Sequence, residues 1–542
     1  MEAFSILDGL VVALYLAAIA LAAWYGTHRH RETEQTAAGF FLAGRGIGWV
    51  VIGTALFATN IGSEHLVGLA GSGAKGGVAV AQFELLAAVL LLLLGWLFLP
   101  LYLKSGVFTM PEFLERRYSS GARWYLAIVS IISYVLTKIS VTLAAGGIII
   151  HTLTGWNFFW SSAAILLFTG TYTALGGLAA VAYSDFLQTV VFLTGSLAVT
   201  FIGLDKVGGW HGLYQAVEPG FFSLWKPSDH PDFPWTGILL GAPILGLWYW
   251  CTDQFIVQRV LSGKNLENAR RGAIFGGYLK LLPLFLFVIP GVVAYALAKT
   301  GQIQLGSPDQ ALPTLVKTIL PHGLRGLVAA GLLAALMSSL AGVFNSCSTL
   351  MTWDVYRRLR PDASQASLVW VGRVSTVLLV ALAFLWIPFM KNVSGQLYQY
   401  LQSVQAYISP PIAAVFLLGI LHRRVNATGA MLALLLGFVL GASRLVLELV
   451  KPNLDGLGIF GTLLQWYAEV NFLHYAFFLF VFSVVVLFLG SLLTPAPDMS
   501  RIGELMFRRP LPLGNPGWVQ QDIMLSMLLL GLLAGIWLAF TG

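Results

Sequence analysis

Along the chain, apolar residues run in long blocks, and polar residues gather in the stretches between them. A helix needs about 20 mostly apolar residues to cross a bilayer core. Fourteen blocks meet that need, over residues 6–25, 47–69, 78–102, 124–150, 158–175, 180–204, 235–257, 273–297, 326–353, 374–390, 396–421, 428–450, 472–493 and 523–540. The pattern predicts an all-α integral membrane protein with 14 transmembrane helices. The first block has no basic stretch ahead of it, Glu2 and Asp8 being the early charges, so it reads as a retained helix and not a cleaved leader.

Composition agrees. Of 542 residues, 57% are hydrophobic and 10% charged, where a soluble domain carries about 25% charged residues. A soluble globular, disordered or fibrous chain is excluded. The formal charge of +7 would suit a nucleic-acid partner, but the placement of the basic residues has a simpler explanation. With the N-terminus outside, the inner loops hold nineteen of the 31 Lys and Arg residues, Arg116, Arg259 and Arg357 among them, and the outer loops hold eight. Lys138, Lys280, Arg373 and Arg444 lie within blocks. This positive-inside bias predicts both termini outside, a multi-pass protein of the cell (plasma or inner) membrane whose surroundings are the lipid bilayer, and no nucleic-acid partner.

Several function classes fall away. Cys251 and Cys347 both lie in apolar blocks, so no disulfide framework is implied. No GxxxxGK[ST] phosphate motif appears, which argues against an ATP-driven pump. The longest loop, 205–234, is too short for a soluble catalytic domain. No nucleophile–base constellation or metal-ligand spacing points to an enzyme. Asn392-Val393-Ser394 matches a glycosylation sequon, too short a pattern to carry weight.

Beyond the first block, five helices over about 47–204 start inside and five over about 235–450 start outside. That is a 5+5 inverted repeat within a single transporter domain, 1–542, with peripheral helices at about 6–25, 472–493 and 523–540. In such repeats, substrate and ion bind near the midplane, where the first helix of each repeat is broken. Both first helices carry a polar interruption: Thr59-Asn60-Ile61-Gly62-Ser63-Glu64-His65 in one, Tyr249-Trp250-Cys251-Thr252-Asp253-Gln254 in the other.

Ionisable residues at membrane depth are costly and point to function. Glu84, Asp185, Lys280 and His65 are such residues. The plain alternative is that each pairs with a neighbour and holds the bundle together. Glu84 and Lys280, however, come from different repeats, and Asn60, His65, Tyr249 and Gln402 fall at comparable depth. Together they offer donors, acceptors and an aromatic face, which a neutral polyhydroxylated ligand requires. Ser338 and Ser339 lie in a long uncharged block. Their hydroxyls could bond back to helix carbonyls or, facing an unwound helix, supply oxygens to a small hard cation. Composition leaves both readings open.

The chain also closely resembles the sodium/glucose cotransporter branch of the solute:sodium symporter family. The stretches that carry the resemblance are FATNIGSEHLVGLAGSGA (57–74), GWLFLPLYLKSGVFTMPEFLERRY (95–118), LTKIS (136–140), TALGGLAAVAYSDFLQT (173–189), LWYWCTDQFIVQRVLSGKN (247–265), GYLKLLP (277–283), LMSSLAGVFNSCSTL (336–350) and SPPIAAVFLLGI (409–420). The resemblance implies a sugar site of Asn60, His65, Glu84, Tyr249, Trp250, Lys280 and Gln402, with Tyr249 and Trp250 against the sugar and in the inner gate. It implies an outer aromatic lid of Phe83 and Tyr398. It implies a sodium site from the carbonyls of Ala58, Ile61 and Ala335 and the hydroxyls of Ser338 and Ser339.

Three departures bear on specificity. Gly246 and Gln405 stand where the animal relatives carry Thr. Leu340-Ala341-Gly342 supplies none of the hydroxyls found there in relatives that use a second sodium, although Asp185 is present. The outer loops also lack the cysteines of the animal proteins. The expectation is a secondary active symporter for a glucose- or galactose-type hexose, working by alternating access with one Na⁺ per sugar and no organic cofactor. The alternatives are a Na⁺ symporter for another polyol such as an inositol, and a sugar sensor or sugar-gated ion leak without accumulation.

Overall fold

The computed structural model describes residues 5–29, 36–386, 397–450, 458–507 and 514–541. The sequon at 392–394 and the basic residues Arg31, Lys391, Lys451, Arg508 and Arg509 fall outside them. Among the described residues the fold is all-helical, with two isolated bridges and no strand. Among the described residues eleven helices are long and apolar enough to cross a membrane, or twelve when the bent pair Trp49–Asn60 and His65–Gly76 counts as one span.

The helices that position the site are α1 (Ile6–Arg29), α2 (Trp49–Asn60), α3 (Ser63–Gly76), α4 (Gln82–Leu93), α5 (Phe158–Lys206), α6 (Gln254–Leu261), α7 (Leu266–Leu279), α8 (Leu324–Leu350), α9 (Leu397–Leu421), α10 (Phe472–Leu492) and α11 (Pro516–Ala539). Two expected spans take another form. The block at 47–69 is the pair α2 and α3, bent by 60° at Ile61 and Gly62. The block at 235–257 is a chain of short helices and a π-helical turn, Leu247–Thr252, that ends at the extended residue Asp253 before α6. The blocks at 158–175 and 180–204 are two helical segments, labelled together α5, that meet at Gly177, where the backbone leaves the helical conformation. Gly177 has φ +54°, and a Cβ there would come within 2.5 Å of the Phe40 carbonyl oxygen, so both backbone conformation and space require glycine.

Charged side chains bolt the outer helices to the core. Asp8, buried at the start of α1, accepts from the backbone N–H groups of Gly323 at 2.7 Å and Gly326 at 2.9 Å, at the start of α8. That contact suits the positive end of the helix dipole. Asp522 on α11 accepts from Arg270 and Arg271 on α7, each at 2.8 Å. This pairing explains why the helical span begins at Leu266 and not at the expected 273. Two arginines that read as loop residues are held within the helix by a buried partner. The same holds for Arg259, counted with the inner loops, which lies in α6 and is 1% exposed.

Candidate functional site

Breaking a helix frees backbone groups. The last carbonyls of α2 lose their helical donors at Asn60; the Ile61 N–H reaches back to the Phe57 carbonyl at 2.8 Å, and the Gly62 N–H to that of Asn60 at 2.9 Å. At the other break the Asp253 carboxylate accepts from the Phe255 N–H at 3.2 Å and caps α6. These two interruptions meet at one cavity of about 50 Å³.

Asn60, His65, Phe83, Glu84, Tyr249, Trp250, Tyr398 and Gln402 all line that cavity. Lys280, at the end of α7, stands behind them and donates to both the Asn60 side-chain oxygen and the Glu84 carboxylate. The Asn60 amide in turn donates to the Tyr249 hydroxyl at 3.0 Å. His65 Nε2 lies 3.3 Å from the other Glu84 oxygen. Glu84 and Lys280 are both buried, and each charge has a partner, as burial demands.

Aromatic rings close one side of the cavity. Tyr398 packs edge-on against His65 and Phe83, with centroids 5.6 Å and 5.9 Å apart. Phe83 also meets Phe233 at 6.0 Å and stacks on Phe472 of α10 at 6.4 Å. Phe233 belongs to the loop that precedes the second broken helix. Its neighbour Asp232 accepts from Lys75 at the end of α3 and from Gln399 on α9, at 3.0 Å and 2.8 Å. Phe83 and Tyr398, expected as an outer lid, are in ring contact; the part of the Phe233 loop in this cluster was not foreseen, because a short irregular segment carries no periodic signal.

A second cluster lies next to Tyr249. Lys138, in the π-helical turn Tyr134–Ile139, lines the cavity and pairs with Asp253 at 3.1 Å. Its Nζ sits 4.4 Å from the Tyr249 ring centre and 3.5 Å from that of Phe255, in cation–π range. The Tyr134 hydroxyl also donates to Asp253. Neither Lys138 nor Asp253 was among the expected site residues. Their membrane depth was the available signal; the pairing across 115 positions was not.

The expected sodium ligands gather at the first break. Ala58 lies in the last turn of α2 and Ile61 directly after it, while Ala335, Ser338 and Ser339 lie along α8, which packs against α2. The Ser339 hydroxyl is directed at the Thr59 carbonyl at 3.5 Å. The Ser338 hydroxyl donates to Asp185 on α5 at 2.6 Å, which leaves its lone pairs for a cation. Thr59 donates to the second Asp185 oxygen at 3.1 Å and accepts from Arg259 Nε at 3.2 Å.

The departures in sequence have structural counterparts. A Cβ at Gly246 would come within 2.3 Å of Leu90 Cδ1, so Leu90 fills the space a larger residue would need. Gln405 lines the cavity beside Gln402. A Cβ at Gly342 would meet Arg259 Nη2 at 3.0 Å, so a guanidinium stands where the sequence lacks hydroxyls.

Residues 40–437 match the model of the sodium:solute symporter family. The chain is 40% identical to sodium/glucose cotransporter 4 of Danio rerio, over 90% of this chain and 79% of that relative. It is 40% identical to sodium/glucose cotransporter 1 of Mus musculus over the same shares, and 41% identical to a sodium/mannose cotransporter of Bos taurus over 94% of this chain and 91% of that relative. Among solved structures, a Na⁺-coupled sialic acid symporter in a substrate-bound outward-open state superposes with a TM-score of 0.75 at 20% identity, covering 91% of this chain and 99% of the other. That likeness is one of fold.

Proposed function

The chain belongs to the sodium:solute symporter family, and from that premise we propose that it is a secondary active symporter that uses the Na⁺ gradient to accumulate a hexose of the glucose or galactose kind. It is a multi-pass membrane transporter and not an enzyme. Counting α5 as two spans divided at Gly177, and each broken helix as one, gives 14 spans. They form a 5+5 inverted repeat over about 47–204 and 235–450, and both termini face outward.

One observation carries the reading. Glu84 and Asn60 from the first repeat and Lys280 and Tyr249 from the second form a single hydrogen-bonded network on the cavity wall. A sugar has hydroxyls that donate and accept, and C–H faces that stack on rings. Asn60, Glu84, His65, Lys280 and Gln402 supply the polar partners, and Tyr249 and Trp250 the faces. Phe83 and Tyr398 shut the outer side, while Tyr249, backed by Lys138 and Asp253, shuts the inner side.

Coupling follows from the shared break. The sodium ligands Ala58 and Ile61 and the sugar ligands Asn60 and His65 lie within one turn of backbone on either side of Gly62. Na⁺ held there, with the Ala335 carbonyl and the Ser338 and Ser339 hydroxyls, orders the segment that presents Asn60 and His65 to the sugar. Each ligand then favours the same conformation, which is what coupling requires. Arg259 beside Gly342 supports one Na⁺ per sugar, because it sets a fixed cation near Asp185. One charge moving through 100 mV gives about 2.3 kcal/mol, and a tenfold Na⁺ gradient adds about 1.4 kcal/mol. Together they sustain a sugar gradient of several hundredfold, roughly.

The test is uptake of labelled glucose, galactose, mannose and myo-inositol into proteoliposomes with and without an inward Na⁺ gradient. Na⁺-dependent accumulation of a hexose supports the proposal. Accumulation of inositol alone reassigns the substrate, and Na⁺-dependent sugar binding without accumulation turns the reading to a sensor.

A further inference from the structure

Far from the transport cavity in sequence, the loop after the helix that ends at Ser105 and the end of the α8 span line a second, open cavity of about 660 Å³. Arg116, Arg123, Arg357 and Arg358 line it, with Trp353 and a single carboxylate, Glu112. Arg116 pairs with Glu112, and Arg358 with Glu115. Arg123 pairs with Glu115 at 2.7 Å and with Asp354 at 2.6 Å. Partial burial would raise the Glu115 carboxyl, but its hydrogen bonds to Arg123 and Arg358 and their charges hold it below its ordinary value. All three carboxylates are therefore already matched by arginines.

Arg357 is not matched. It is exposed, its Cζ lies 4.2 Å from the Trp353 ring centre, and no carboxylate pairs with it among the described residues. Arg45 adds positive charge at the rim, where its Nη2 donates to the Gly106 and Val107 carbonyls at 3.2 Å and 3.3 Å. A neighbouring cavity of about 320 Å³ shares Arg116, with Lys104 paired to Glu504 and Arg501 to Asp498, each at 3.4 Å. The two form one basic surface with an excess of cations.

We propose that this surface is a binding site for a phosphate-bearing anion, centred on Arg357. A guanidinium over an indole keeps its N–H fork, the donor set that grips phosphate oxygens two at a time. The cavity is large enough for a lipid headgroup. The orientation proposed above puts this end in the cytoplasm, where acidic phospholipids face basic pockets between helices. A soluble phosphate ester would present the same group.

Native mass spectrometry of the purified full chain, with phosphatidylglycerol or phosphatidylcholine added, separates these sources when set beside thermal unfolding in inorganic phosphate. The expected result is preferential retention of phosphatidylglycerol, weakened roughly fivefold in Arg357→Ala, the effect of one basic residue at an anionic surface. Arg357→Lys, which keeps the charge and loses the fork, should fall between. If phosphate stabilises the wild type and not Arg357→Ala, while phosphatidylglycerol shows no preference, the ligand is a soluble phosphate ester and the site stands. Equal behaviour of wild type and variant with both probes overturns the proposal. Arg116→Gln, on another wall, carries the same expectation if Arg357→Ala is poorly expressed. Unchanged Na⁺-driven uptake in phosphatidylcholine vesicles shows that each variant is folded.

Discussion

Lys280 donates to Glu84 from behind the wall of the transport cavity, although 196 positions separate the two residues in sequence. The bond joins the two halves of the chain where both present polar groups to the same space. Each residue is costly to bury alone, and the pair is tolerable because each charge answers the other. A sugar entering the cavity meets a network already set, with donors and acceptors fixed in place.

Glu84→Gln keeps the shape of this network and removes its charge. Hydrogen bonds to charged groups contribute about 1.5–3 kcal/mol, so the sugar concentration for half-maximal uptake should rise at least tenfold, roughly, with a smaller change in the Na⁺ requirement. Lys280→Ala should do worse, because it leaves Glu84 buried without its main partner. Uptake at varied sugar and fixed Na⁺, with thermal unfolding of each variant, reads both effects.

Ser339→Ala removes a hydroxyl and leaves the cavity wall intact. The Na⁺ concentration for half-maximal uptake should rise several-fold, about what one hydrogen-bond-sized interaction contributes. At saturating Na⁺ the sugar requirement should return near that of the wild type. A variant with unchanged Na⁺ dependence would remove Ser339 from the ion site.

The Lys138–Asp253 pair predicts non-additive damage. Asp253→Ala strands a buried ammonium and should destabilise the protein by about 3–5 kcal/mol. Lys138→Met combined with Asp253→Ala should lose less than the sum of the two single changes. Thermal unfolding of the four proteins in one cycle measures the coupling.

Gly246 and Leu90 should behave as a unit. Gly246→Thr drives a side chain into Leu90 and should cost about 1–3 kcal/mol as overpacking. Leu90→Ala in the same chain should recover much of that loss and place a hydroxyl at the cavity wall. Competition of unlabelled sugars against the labelled one would then show an altered order of preference.

Much of this site was legible in the sequence because the bilayer makes polarity conspicuous. Asn60, His65, Glu84 and Lys280 stand out as polar residues in apolar blocks, and all are at the cavity or bonded to its wall. What stayed hidden was partnership. Lys138 and Asp253 were each visible at membrane depth, yet nothing local says that they meet. Arg259 and Arg270 read as loop charges and proved buried, because their partners Thr59 and Asp522 lie some 200 or more positions away. Hydropathy separated two blocks around Gly177, and the backbone does leave the helical conformation there. The contribution of Phe233 to the lid depends on where Asp232 is anchored, by Lys75 and Gln399.

The most direct test of the account is the sugar gradient that proteoliposomes hold at steady state when the Na⁺ gradient is changed at fixed membrane potential. One Na⁺ bound at the first helix break and carried with each sugar predicts that the ratio of inside to outside hexose rises tenfold, roughly, for each tenfold increase in the Na⁺ gradient. A hundredfold rise would mean that a second Na⁺ is carried despite Arg259. A ratio that stays at one whatever the Na⁺ gradient would contradict coupled transport itself.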